Sequence, residues 1–104
     1  MQISILLTTV AKKSDARHLA SAALEHRFAA CIQILPGLES HYAWKGKKVI
    51  SREYLLLAKT TQRKSKSLKK LWKKIHPYDC PEIVTLSGRA AAPYARWIQA
   101  SLSP

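Results

Sequence analysis

The sequence predicts an α+β fold, in which apolar strands alternate with two stretches of helical period and a third such stretch ends the chain. Three observations carry that prediction. Residues 3–9 and 82–86 are apolar runs rich in β-branched side chains, bounded by loop signals, and so read as strands. Residues 31–61 read as two long strands folded about Lys45-Gly46-Lys47, where a glycine between lysines supplies the positive φ of a hairpin loop. Beyond Thr61 the apolar period changes: Leu68, Leu71, Trp72 and Ile75 recur at i, i+3, i+4 and i+7, one stripe of a helix.

Taken in order, Ile3 to Thr9 is read as a central strand, and Val10 to Lys13 as its exit loop. Ser14 is the expected N-cap of the first helix, with Asp15 favourably placed in its first turn. Ala16, Leu19, Ala20, Ala23 and Leu24 then repeat at helical spacing, with Phe28 one turn beyond. The first hairpin leg is Cys31 to Leu35, resumed from Leu38 to Trp44 after Pro36-Gly37. Pro36 cannot donate a ladder hydrogen bond, so that pair is read as a bulge. The return leg runs from Glu53 to Thr61 and does not alternate at its centre, so both of its faces need cover. In the second helix, like charges at i, i+4 such as Lys66-Lys70 and Lys69-Lys73 cost ~1 kcal/mol in all. Burial of Trp72 and the leucines offsets this, at about 1.5–3 kcal/mol per large side chain. Pro77 stops the helix, and Pro81 opens the strand Glu82 to Leu86, which Ser87-Gly88 ends. Pro93 suits the first turn of a last helix carrying Tyr94, Trp97, Ile98 and Leu102.

The order βαββαβ plus a C-terminal helix, with right-handed crossovers and a central hairpin, gives a ferredoxin-like antiparallel sheet with two helices on one face. The 104 residues fit one such domain, spanning 1–104. The other sheet face then has no cover within the chain, although Leu55, Leu56 and Leu57, like Ile5, Leu6 and Leu7, ask for cover on both sides. A bare apolar face of that size is an association surface, so an obligate oligomer is expected. The hairpin arm, with Tyr42 and Trp44 on one side of its strand, is the natural reach toward a neighbour. Tyr42, Trp44, Leu55 and Leu57 are therefore the expected interface residues.

Eighteen Lys and Arg against six Asp and Glu give a formal charge of +12, a field that attracts polyanions and says little about fold. The second helix concentrates that charge, with no acid on its polar face. Lys66, Lys69, Lys70, Lys73 and Lys74, within helix 64–74, are thus an alternative functional surface for nucleic acid or another polyanion. The aromatic signature of RNA-recognition sheets is missing, and the sheet centre is aliphatic. Two cysteines, Cys31 and Cys80, without CxxC spacing fit neither a disulfide framework nor a zinc knuckle. With no basic leader on residues 1–7, the expected location is cytoplasmic.

No GxSxG, HExxH or phosphate-binding loop is present, and Cys31 follows two alanines in an apolar strand where a thiolate is disfavoured, so a non-enzyme is expected. The densest set of metal-ligating types is His76, Asp79, Cys80 and Glu82, with Cys31 as a further thiol. Imidazole and thiol suit copper or zinc. The same residues also read as structural, His76 as a cap of the helix before it and Cys80 as a core thiol. No tightly bound cofactor is expected, and at most weak association with Cu(II) or another divalent cation.

Ala29-Ala30-Cys31, Ile34-Leu35-Pro36-Gly37, Tyr42-Ala43-Trp44-Lys45-Gly46-Lys47, Leu55 to Thr61 and His76-Pro77-Tyr78-Asp79-Cys80-Pro81-Glu82-Ile83 resemble, in order and spacing, the CutA family of divalent-cation tolerance proteins. The likeness extends loosely from the first strand to Trp97. It implies the same fold, a homotrimer with sheets inward and helices outward, and a role in divalent-cation (copper) tolerance without catalysis. Carried over by position, it places Thr8 where copper-binding relatives have a cysteine, and Ile75-His76 where they have paired histidines. Lys45, Lys47 and Lys48 stand where relatives carry acids, which makes the hairpin rim a worse collector of cations.

Overall fold

The computed structural model describes residues 1–103. Pro104, which the single-domain reading includes, lies outside the described residues. The elements are β1 (Gln2–Val10), α1 (Lys13–Glu25), β2 (Cys31–Trp44), β3 (Lys47–Thr60), α2 (Gln62–Ile75), β4 (Ile83–Arg89) and α3 (Ala92–Leu102). The four strands form one antiparallel sheet in the order β2-β3-β1-β4, the ferredoxin-like arrangement that the element order predicts.

The β2–β3 hairpin closes through a two-residue loop, Lys45 at φ 50° and Gly46 at φ 77°, with Trp44 opposite Lys47. Positive φ at both positions matches the right-handed twist of the legs, and here a lysine takes one of them. Pro36 and Gly37 together oppose a single residue, between the pairs Leu35–Leu55 and Leu38–Glu53. This is the bulge expected from the proline, and Gly37 sits at φ 76° within it. Beyond Tyr54, β3 pairs with β2 alone, so the ribbon projects from the sheet and stretches the molecule to 45 Å.

Even-numbered positions of β1 and β3 face the helices. Leu6, Leu56 and Ala58 pack there with Ala16, Leu19 and Ala23 of α1 and with Leu68 and Trp72 of α2. The Trp72 ring is wholly buried, and its Nε1–H donates to the Leu19 carbonyl at 3.1 Å, which ties the two helices together. Thr61 caps α2 by accepting the Lys64 amide hydrogen at 3.2 Å.

Three local expectations are corrected. Ser14 does not cap α1: the helix starts at Lys13, with Lys12 at the cap position and no side-chain bond. A cap contributes ~1 kcal/mol, less than the burial of Ala16, Leu19 and Ala23 that sets the phase of this helix. Leu24, placed on the apolar stripe by spacing, is exposed because the helix turns it past the sheet. The end of α1 is a left-handed Arg27 (φ 55°), with Phe28 N–H bonding Ala23 O and Arg27 N–H bonding Leu24 O, where a glycine is more usual. Finally, β4 continues through Ser87 and Gly88 to Arg89, since Ser87 and Gly88 pair with Ser4 and Ile3.

The second sheet face is not wholly bare, contrary to the sequence reading. The α3 helix crosses it at the β1 start, and Ala95, Ile98 and Leu102 bury against Ile3 with Ile5 and Ala30 alongside. Tyr94 and Trp97, assigned to the apolar side by spacing, are instead exposed and stacked with ring centres 5.8 Å apart. The rest of that face carries Leu7, Leu35, Leu55, Leu57, Val84 and Leu86, all half-buried or exposed. Large apolar side chains therefore remain open toward solvent over the sheet centre.

Candidate functional site

The loop of residues 76–82 between α2 and β4 is fastened to the sheet by one hydrogen-bond chain. His76 leaves the helix in extended conformation before Pro77, and its ring turns back onto β1. The Tyr78 N–H donates to His76 Nδ1 at 3.1 Å, so the ring proton sits on Nε2. That Nε2–H donates to Thr8 Oγ1 at 2.9 Å, and the Thr8 hydroxyl donates to the Glu82 carbonyl at 2.6 Å. Thr8 is fully buried. Burial pushes the His76 pKa below its usual value, against the opposing pull of the Thr9 backbone and the Asp15 and Glu53 carboxylates. The neutral ring that the network requires is thus also the form its surroundings favour.

The same loop sends the Tyr78 hydroxyl to β3, where it donates to Glu53 Oε2 at 2.7 Å. Glu53 is only 7% exposed, a buried acid in a chain that holds just six. Burial first, and then the hydrogen bond and charge of Glu53, push the Tyr78 pKa well above the usual phenol range. Between the loop and the hairpin arm opens a cleft of about 750 Å³. Glu53, Asp79 and Glu82 supply its acids, and Tyr42, Trp44 and Tyr78 its aromatic surface. His41, also on the wall, is bonded through Nε2 to Glu39 at 2.6 Å.

The family model described as CutA1 divalent ion tolerance protein matches residues 4–101. The chain belongs to the CutA1 family. It is similar to the divalent-cation tolerance protein CutA of Thermus thermophilus, with 48% identity over 82 residues, 79% of this chain and 80% of that protein. The protein of the same name from Pectobacterium atrosepticum is 36% identical over 99 residues, 94% of this chain and 90% of that one. The crystal structure of CutA1 from Ehrlichia chaffeensis matches with a TM-score of 0.94 at 28% identity, covering 98% of this chain and 96% of that chain. The resemblance read from the sequence motifs is thereby established at the level of family and fold.

Within this CutA1 fold the predicted ligand set is only partly gathered. Asp79, Cys80 and Glu82 line the cleft, and Cys80 is exposed rather than a core thiol. His76 lies behind them with both ring nitrogens engaged in internal hydrogen bonds. Cys31 is elsewhere, at the start of β2, beside the Tyr94 hydroxyl of α3, whose pKa is raised by burial and by that thiol. Among the described residues, no three of His, Cys, Asp and Glu converge as a metal-holding group. Of the interface candidates, Tyr42 and Trp44 are exposed on the cleft wall, Trp44 at 54%, while Leu55 and Leu57 lie on the open sheet face. Lys66, Lys69, Lys70, Lys73 and Lys74 are all exposed on α2. Among the described residues, no helix is long and apolar enough to cross a membrane.

Sequence reasoning did not single out the pairing of Glu53 with Tyr78 or the clamp role of Thr8. The available signals were a carboxylate at the edge of an apolar run and a threonine on the helix-facing side of a central strand. Neither signal names a partner, because the partners lie 25 and 68 residues away.

Proposed function

We propose that this CutA1 member is a non-enzymatic divalent-cation tolerance protein that acts as a homotrimer and meets cations weakly at its cleft. The observation that carries the reading is the placement of acids. Three of the chain's six, Glu53, Asp79 and Glu82, line the cleft, and a fourth, Glu39, is paired with a wall residue. In a chain of net charge +12 this is the local environment best suited to a cation. Hard divalent ions take carboxylate oxygens, and a set in which Asp79 and Glu82 are exposed while Glu53 is buried and holds the Tyr78 hydroxyl binds loosely. His76, locked in its internal network, contributes no ligand.

The reading is non-catalytic because, among the described residues, the cleft groups do not line up as a nucleophile, a base and an orienting group. Glu53 is bonded to a phenol whose proton is held tightly, and His41 is bonded to Glu39 on the exposed arm. The trimer is supported by the open face around Leu55 and Leu57, whose apolar surface a neighbouring sheet would remove from water. Two free thiols, one of them exposed, suit a reducing cytosol.

The test is growth of a bacterial host deleted for its own family member, challenged with rising Cu(II), Zn(II) or Co(II). Expression of this chain is expected to restore growth. The triple variant Glu53→Gln, Asp79→Asn, Glu82→Gln is expected to restore it less. Failure of the well-folded parent chain to protect against any of the three metals overturns the reading.

A further inference from the structure

We propose that the exposed face of α2 docks the phosphate backbone of a nucleic-acid duplex without reading its sequence. The surface is defined by what remains after the core has taken its share of the helix. Ser65, Leu68 and Trp72 are buried, and Lys64 is half-buried with its ammonium 5.8 Å from the centre of the Phe28 ring. Every exposed residue of α2 except Gln62 is then a cation: Arg63, Lys66, Lys69, Lys70, Lys73 and Lys74. At 3.6 residues per turn they fall on one arc of about 140° and extend over about 17 Å of helix axis. Among the described residues the one ion pair is His41–Glu39, so none of these six is neutralised by an acid.

Six like charges on one arc destabilise the helix that bears them, and an exposed lysine face needs no such density for solubility. An anion of matching charge density relieves the repulsion. A duplex presents one phosphate per ~1.7 Å of axis, so about ten phosphates lie along the length of this stripe. An anionic membrane is a poorer match, because a surface helix binds lipid by inserting an apolar side. The apolar side of α2 already packs on the core, with Leu68 and Trp72 wholly buried, Leu71 and Ile75 half-buried, and the Trp72 indole N–H bonded to the Leu19 carbonyl. Base reading is not expected. The stripe is nearly all lysine, which contacts phosphate as a point charge, and it offers no Asn or Gln beyond Gln62 to pair with base edges. The proposal is independent of the cation-tolerance reading, since it uses no cleft residue.

The experiment is fluorescence anisotropy of the full chain with short labelled DNA duplexes of two unrelated sequences, across a salt series. Six phosphate contacts give a slope of log K against log salt near about −5, equal for both sequences. Lys69→Gln with Lys73→Gln is expected to weaken binding of both duplexes and bring the slope to about −3.5. Lys66→Gln with Lys70→Gln provides an independent second pair should the first fold poorly. Lys47→Gln with Lys48→Gln removes the same charge from the hairpin and is expected to leave the slope unchanged. The proposal is overturned by absence of binding at low salt, or by equal effects of helix and hairpin variants. It is also overturned by a marked preference for one sequence, or by capture on phosphatidylserine vesicles that the duplexes cannot compete away.

Discussion

Replacing Thr8 by valine tests whether one buried hydroxyl holds the cleft loop in place. Valine keeps the shape of the side chain and puts a methyl in place of the hydroxyl, which donates to the Glu82 carbonyl at 2.6 Å and accepts from His76 Nε2 at 2.9 Å. Each orphaned partner costs about 1–3 kcal/mol when water cannot replace the bond. His76 is half-buried and Glu82 is exposed, so water recovers part of that, and the expected total is about 2 kcal/mol. Thr8→Ser keeps both bonds and loses one buried methyl, for about 1 kcal/mol. The assay is urea unfolding at fixed protomer concentration, because an oligomer's stability depends on it. Hydrogen exchange at the Tyr78 amide, which bonds to His76 Nδ1, provides a local readout and should quicken in the valine variant alone. A valine variant within about 0.5 kcal/mol of the parent, with unchanged Tyr78 exchange, refutes the argument that this chain of bonds secures the loop.

On the proposed homotrimer, Leu57→Lys places a charge on the open sheet face, and the mass from light scattering is expected to fall from three times the 11.7 kDa chain mass in the parent toward one in the variant; an unchanged oligomer counts against assembly through this face. In alkali, the raised Tyr78 pKa means the folded state holds a proton that the unfolded state releases near pH 10, so stability is full below about pH 10 and falls above it. Tyr78→Phe should reduce that fall, leaving the part due to Tyr94, while costing about 1.5–3 kcal/mol at neutral pH through the lost bond to the Glu53 carboxylate, both read by urea unfolding. In acid, the lowered His76 pKa has the unfolded chain binding a proton first, so stability declines as pH drops below about 6.5, and His76→Gln should flatten that decline. Isothermal titration with Cu(II) is expected to show only weak binding that His76→Ala leaves unchanged; sub-micromolar affinity lost in that variant contradicts the engaged ring seen here.

The hairpin was legible because its signals are local. Pro36 forbids a ladder bond, and Gly46 accepts the positive φ of a two-residue loop, whatever the rest of the chain does. The stripe of Leu68 and Trp72 was legible for the same reason, since helical period alone puts them on one side. The cleft was not legible as a constellation. Asp79, Cys80 and Glu82 were suspected together from sequence proximity, but their wall partners Glu53 and Trp44 come from the hairpin arm. Ser14 failed as a cap because the helix already begins at Lys13, and a cap of ~1 kcal/mol is a weak signal beside the burial of Ala16, Leu19 and Ala23.

What the residues determined unaided is the order of the elements, the phase of their apolar faces and the family to which the chain belongs. The order and the apolar phase follow from backbone sterics and side-chain period, which act over a few residues at a time, whereas the family follows from the resemblance of segments such as His76 to Ile83. Tertiary structure alone decided that α3 crosses the second sheet face and turns Tyr94 and Trp97 outward. It alone decided that His76 spends both nitrogens on internal bonds, and that Glu53 is buried beneath a tyrosine. Each of these depends on groups that are remote along the chain and meet only when the sheet forms. The cost of leaving a buried polar group unpaired then fixes the partner.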